Sequence, residues 1–223
     1  MSRRGVTPTG AYSEDYAASR ATAKATKRHR RDEALFRSLT SAIPFGANIA
    51  DIGAGGGTLA ATLREHGWSV DAWDGCPLPA FGVAKWDLTQ PHPDRTRWYR
   101  WGLFIEVGEH VPELHQQQLA KHISQIVTEG LVISYATPGQ PGRGHVSCKT
   151  PEEVLALFAP HGWRMNEGAT NMARHVAGGG WQKKLLVLNR KGAYEFGTLG
   201  HTALGKVCPL AQARHNHPGR HTG

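Results

Sequence analysis

The chain has 223 residues, 39% hydrophobic and 20% charged, with a formal net charge of +8; that length suits one domain with extensions and leaves no room for a second of similar size. No apolar run reaches the length of a membrane span, the N-terminal residues lack the apolar stretch of an export signal, and Cys76, Cys148 and Cys208 show no metal-type spacing, so the expectation is a cytoplasmic protein in a reducing compartment. The charge is uneven: residues 1–31 carry +6 and residues 191–223 carry +3, leaving −1 for the stretch between them.

Along the chain, residues 1–31 read as a basic arm, partly helical or disordered. Its run Lys27-Arg28-His29-Arg30-Arg31 has the composition of a segment attracted to a phosphate backbone, or equally of a solvated helix face. A helix is predicted within 13–40, with Ser13 as a possible cap and Leu35, Phe36 and Leu39 as an apolar edge. Ile49–Ile52 suits a buried parallel strand that breaks directly into glycines. Thr58–His66 reads as a helix stopped by Gly67, and Trp68–Trp73 as a second strand ending at Asp74. Further strands are predicted at 81–86, 101–105 and 131–135. Pro112 opens a helical run through Leu119, Ile123 and Ile126. Thr150-Pro151-Glu152-Glu153 opens another, which ends at His161-Gly162. Late strands are expected at 163–167 and 184–189. From 191 onward the chain is rich in Gly, His and Pro and reads as a disordered tail, in which His215, His217 and His221 could meet a soft metal but read first as part of a flexible surface segment. Trp73, Trp86, Trp98, Trp101 and Trp163 read as packing residues. Alternating strands and helices over 32–190 predict a doubly wound α/β sheet.

The strongest functional signal is Asp51-Ile52-Gly53-Ala54-Gly55-Gly56-Gly57 followed by Trp73-Asp74-Gly75. A glycine turn after a strand lets the backbone approach a ligand, and an acid at the tip of the next strand suits the two hydroxyls of a ribose. A dinucleotide fingerprint would need a third glycine where Thr58 stands, which argues against a nicotinamide-dependent oxidoreductase. The spacing Gly53-x-Gly55-x-Gly57 after Asp51 resembles motif I of the class I S-adenosylmethionine-dependent methyltransferases. Ala84-Lys85-Trp86-Asp87-Leu88 is similar to that family's third-strand segment, and the likeness spans roughly residues 45 to 190. The resemblance implies a Rossmann-like seven-stranded sheet, mostly parallel with one antiparallel strand, and S-adenosylmethionine as cofactor. It implies that Asp51 and the turn Gly53, Ala54, Gly55 and Gly57 pass the methionine end, Asp74 and Gly75 hold the ribose, and Asp87 and Leu88 face the adenine. Glu106, at the tip of the fourth strand, completes the cofactor set.

A second polar cluster follows the fourth and fifth strands. Glu106, Glu109 and His110 stand at i, i+3 and i+4, so one helical turn would align them, though Gly108 and Pro112 also allow a tight non-helical turn. His145 arrives from the Gly-rich loop after the neighbouring strand. Two carboxylates and two imidazoles make an oxygen and nitrogen set suited to Mg²⁺ or Mn²⁺. The E-x-x-E-H segment resembles those of two metal-using groups, the ubiquinone-pathway O-methyltransferases and the small-RNA 3′-terminal 2′-O-methyltransferases. On this reading Glu106, Glu109, His110 and His145 bind the metal, and Glu106, His110 and His145 serve the chemistry; His110 or His145 could instead act as a metal-free general base. Tyr135 and Arg143 are further candidates for substrate contact. The acceptor expected is an RNA ribose 2′-hydroxyl, drawn in by the basic arm. The alternatives are a small catechol-like metabolite, favoured by the near-neutral core, and a non-catalytic binding module that keeps the cofactor fold.

Overall fold

A computed structural model describes residues 33–76 and 82–192. The basic arm, most of the predicted first helix, the strand start at Phe81 and nearly all of the tail lie outside these residues. The elements in chain order are α1 (Glu33–Ala42), β1 (Asn48–Ile52), α2 (Thr58–Glu65), β2 (Ser69–Asp74), β3 (Val83–Lys85), β4 (Tyr99–Ile105), α3 (Gln116–Ile126), β5 (Val127–Ser134), α4 (Pro151–Phe158), β6 (Trp163–Met165), α5 (Glu167–Ala177) and β7 (Leu186–Arg190). The seven strands form one sheet in the order β3-β2-β1-β4-β5-β7-β6. β7 runs antiparallel to both β5 and β6, and the other pairings are parallel. Among the described residues, no helix is long and apolar enough to cross a membrane.

Alternate residues of the central strands serve opposite faces, which is why those strands are apolar throughout. Ile52, Phe104, Ile133 and Leu188 pack with α3 and α4 on one face, together with the buried rings of Trp86 and Trp163. Ile49, Leu103, Val132 and Val187 pack with α1, α2 and α5 on the other. The result is a three-layer α/β/α arrangement. The polar tips of Trp163 and Ser124 satisfy each other inside it at 2.8 Å.

Several element boundaries differ from the sequence expectation. β5 begins four residues before the predicted 131, because Val127 and Gly130 pair with β4 across an irregularity at Thr128 and Glu129, a polar strand start that hydropathy does not mark. Pro112 precedes a short 3₁₀ turn at Glu113–His115, and the α-helix starts only at Gln116. α5 is unanticipated, since 163–167 reads as a strand. Asn166 ends that strand and caps the helix by accepting the Ala169 N–H at 2.9 Å. The buried residues of α5 are Thr170, Ala173 and Ala177, too small to leave an apolar stripe in the sequence. Their smallness lets α1 approach closely enough for Ser38 Oγ to donate to the Ala173 carbonyl at 2.7 Å. Trp98 is 60% exposed, in contrast to the packed indoles.

α4 begins with the expected capping box, in which the Thr150 hydroxyl accepts from the Glu153 N–H and the Glu153 carboxylate accepts from the Thr150 N–H. Thr150→Ala is expected to lower the unfolding free energy by about 1 kcal/mol in urea denaturation, and an unchanged midpoint would remove the cap's role.

Candidate active site

The turn after β1 is built from left-handed backbone. Gly53, Gly55 and Gly57 have φ of 77°, 55° and 72°. At Gly53 space forbids a side chain as well, because a Cβ would lie 2.4 Å from a methyl of Val107. Gly53 and Ala54 both donate to the Trp73 carbonyl, at 2.7 and 2.9 Å, which ties the turn to β2. Gly55 is exposed, with open space where a Cβ would project.

Two acids flank the turn. Asp74, at the end of β2, accepts from the Gly55 N–H at 2.9 Å and the Cys76 N–H at 2.8 Å. Burial nevertheless raises its pKa, those two N–H groups only partly offsetting the effect. Asp51 is buried and its Oδ2 has no hydrogen-bond partner. Its pKa is pushed up to about 7, first by desolvation and then by the neighbouring Asp74 charge, against the pull of Arg64 and the Ala60 N–H. Asp87 makes a local turn in which its Oδ1 accepts from the backbone N–H and hydroxyl of Thr89, at 3.0 and 2.8 Å. Leu88 packs against the core, and Gly75 follows Asp74 directly at the half-buried end of β2. The predicted cofactor residues from the three strand ends therefore surround one turn or stand beside it on the same sheet edge.

The E-x-x-E-H segment takes a tight turn rather than the single α-helical turn considered from sequence. Glu106 has φ 56°, the one positive value among described non-glycine residues, and the 3₁₀ turn that follows spans only Gly108–His110. That reversal separates the two carboxylates. Glu106 turns to Ser134 Oγ at 2.9 Å, Gln140 Nε2 at 3.4 Å and Lys184 Nζ at 2.5 Å. Glu109 turns inward instead. Gly108 makes this possible, since any Cβ there would sit 1.9 Å from the ring of Tyr135.

One ligand atom each from Glu109, His110 and His145 lie within 4.8 Å of one another; Glu106 is outside this group. The two imidazole centroids are 5.1 Å apart. The loops are joined by backbone bonds, with the Val146 and Ser147 N–H groups donating to the Glu109 carbonyl at 2.8 and 3.0 Å. His110 Nδ1 faces the Gly144 carbonyl at 3.2 Å and His145 Nδ1 faces the Gln140 carbonyl at 3.1 Å. A carbonyl only accepts, so each Nδ1 is a donor. Both Glu109 oxygens are buried without a hydrogen-bond partner. Desolvation, then the Glu106 charge, raises the Glu109 pKa to about 8, while Lys184 and nearby backbone N–H groups only moderate the effect. A buried carboxylate of this kind is either protonated or balanced by a cation, so the set fits a hard divalent metal by its chemistry. Tyr135 does not reach substrate space: it is buried in the core and donates to Gln116 Oε1 at 2.9 Å. Arg143 is exposed on the His145 loop. Lys184 and Gln140 are the site residues that sequence reasoning missed. Nothing in their local sequence distinguishes them from surface residues.

No protein-family model matches the chain, and no curated protein matches it in sequence. Solved structures do match its fold. A TehB-like SAM-dependent methyltransferase from Corynebacterium glutamicum superposes with a TM-score of 0.62 at 14% identity, covering 80% of this chain and 99% of that one. Magnesium protoporphyrin IX methyltransferase from Synechocystis, with bound SAM, gives 0.52 at 15% identity over 79% and 96%. A sugar N-methyltransferase from Streptoalloteichus gives 0.55 at 15% identity over 72% and 87%. The chain thus has the seven-stranded fold found in these methyltransferases.

Because the folded pKa of Asp51 is raised from 3.8 to about 7, its contribution to stability is complete below the unfolded value and is lost as pH rises through about 7. The melting temperature of the unliganded protein is therefore expected to fall across that window, and Asp51→Asn to flatten the fall. An identical pH slope in both proteins would refute the buried-acid assignment.

Proposed function

We propose that this protein is an S-adenosylmethionine-dependent methyltransferase acting on a hydroxyl oxygen. The observation that carries the reading is the left-handed glycine turn between two acids of raised pKa, Asp51 buried and Asp74 half-buried, at the carboxyl edge of the sheet, where ligands of open α/β folds bind. Such a pair is poorly solvated as anions and favours a ligand that brings positive charge. A sulfonium donor with an ammonium group has that character, and its ribose suits the remaining lone pairs of Asp74. Asp87 and Leu88 would line the adenine, with Asp87 Oδ2 the oxygen not used in the turn to Thr89.

When bound, the donor supplies an electrophilic methyl group, and a Mg²⁺ or Mn²⁺ ion held by Glu109, His110 and His145 supplies Lewis acidity towards a substrate hydroxyl. This chain's residues do the positioning. Val107 against Gly53 sets the glycine turn beside the segment that carries Glu109 and His110, so donor and acceptor sites share one edge. The Gly144 and Gln140 carbonyls orient the rings of His110 and His145, which stand together with Glu109 in one cluster. In a metal-free reaction the imidazole of His110 or His145 would serve as the general base towards the hydroxyl.

The acceptor that best joins these features is a vicinal diol. An RNA 3′-terminal ribose offers one, and the +6 arm at residues 1–31 favours it. A catechol-like metabolite is the second reading, favoured by the near-neutral charge of residues 32–190.

Calorimetry is expected to detect binding of S-adenosylmethionine and of its demethylated product, weakened about tenfold or more by Asp74→Ala through loss of a charged hydrogen-bonding group. Absence of binding in the parent would sink the reading. Labelled-methyl transfer into total RNA and a phenol panel, with Mg²⁺, Mn²⁺ or chelator, separates the acceptors. RNA labelling lost on deleting residues 1–31 supports RNA, and phenol turnover unaffected by that deletion supports the metabolite. Glu109→Ala and His110→Ala are expected to abolish transfer while keeping cofactor affinity; full activity in both would remove the metal proposal.

A further inference from the structure

Glu106 has the charge, hardness and sequence spacing of a fourth metal ligand, yet its carboxylate is already claimed by three donors from outside its own segment. Ser134 and Gln140 come from β5 and the loop after it; Lys184 comes from the turn that leads into β7. The backbone enforces the same direction. The left-handed turn at Glu106 is held by its N–H donating to the Ser134 carbonyl at 3.1 Å and to Ser134 Oγ at 3.2 Å.

Lys184 is an unusual place for a cation. Its side chain is 13% exposed, with the ammonium 4.7 Å from the Trp181 ring centroid and 2.5 Å from Glu106 Oε2. The segment is set by the Lys184 and Leu185 N–H groups donating to the Trp181 carbonyl at 3.2 and 3.0 Å, and Leu185 is itself buried. Releasing Glu106 would strip a largely desolvated ammonium of its ion-pair partner, which is strongly unfavourable.

We infer that Lys184 is a positioning residue that keeps Glu106 out of the metal-ligand set, so that a divalent cation meets only Glu109, His110 and His145. The inference rests on the metal reading above and changes what that site is. Three protein donors with one carboxylate leave half of an octahedral shell for substrate and solvent oxygens, enough for both oxygens of a vicinal diol. A fourth protein ligand would strengthen metal binding and take a position the diol needs. Lys184 thereby trades affinity for an open face.

The test is Mn²⁺ binding to the full-length protein, followed by the electron paramagnetic resonance signal of free Mn²⁺. The parent is expected to bind one ion and His145→Ala to lose it. Glu106→Gln should bind within about twofold of the parent, because Glu106 is not a ligand. Lys184→Met should bind about tenfold more tightly, as added ligand charge raises affinity; Lys184→Arg should match the parent, and the double variant Lys184→Met/Glu106→Gln should return to it. Should Glu106→Gln lose tenfold or more, or Lys184→Met bind no better than the parent, the inference falls while the three-ligand site stands. No Mn²⁺ binding by the parent would overturn both.

Discussion

The site depends on one steric constraint: the backbone at Gly53 lies against Val107, with no room for a β-carbon between them. β1 and β4 are adjacent strands, but adjacency alone brings their tips only within strand spacing. Removing the side chain at Gly53 lets the turn that follows β1 press directly on the residue after Glu106. A second such contact, Gly108 over Tyr135, seats the next turn and aims Glu109 inward. The two glycines connect a cofactor-type turn to an acid and imidazole cluster.

The electrostatics run against stability along that whole edge. Asp51 and Glu109 are buried and Asp74 half-buried, and the pKa values of all three are raised, chiefly by desolvation. Asp51 keeps one oxygen unpartnered and Glu109 both. A protein selected for the unliganded fold alone would place amides or apolar groups at these positions, since an uncompensated buried charge is among the most costly features of an interior. Concentrating such cost at one edge is the pattern expected of a ligand site. Glu106 is the contrast. It has a full set of donors, a cationic partner and a strained backbone that holds it there, so its charge is already satisfied within the fold.

Much of the fold was readable because its signals are local. The sheet-to-turn break at Gly53, the capping box at Thr150 and the apolar strands each depend on residues a few positions apart. α5 was not readable because its contact with α1 selects Thr170, Ala173 and Ala177 for smallness rather than hydrophobicity. Asp87 was legible as an acid after β3, but its turn with Thr89 was not. The cluster after β4 was legible as a group of ligand-type residues, whereas its division was not. Glu109, His110 and His145 converge, and Glu106 leaves.

Sequence alone determined the strand-turn-helix order, the acids at consecutive strand tips and the identities of the polar residues on the loops after β4 and β5, because backbone requirements and hydrophobic periodicity act over short separations. Tertiary structure decided which of those polar residues share a space. Lys184 lies 78 positions from Glu106 and meets it only because β7 inserts beside β5. Which carboxylate is neutralised and which is left buried and open follows from that strand order, a property of the folded sheet that no local pattern encodes.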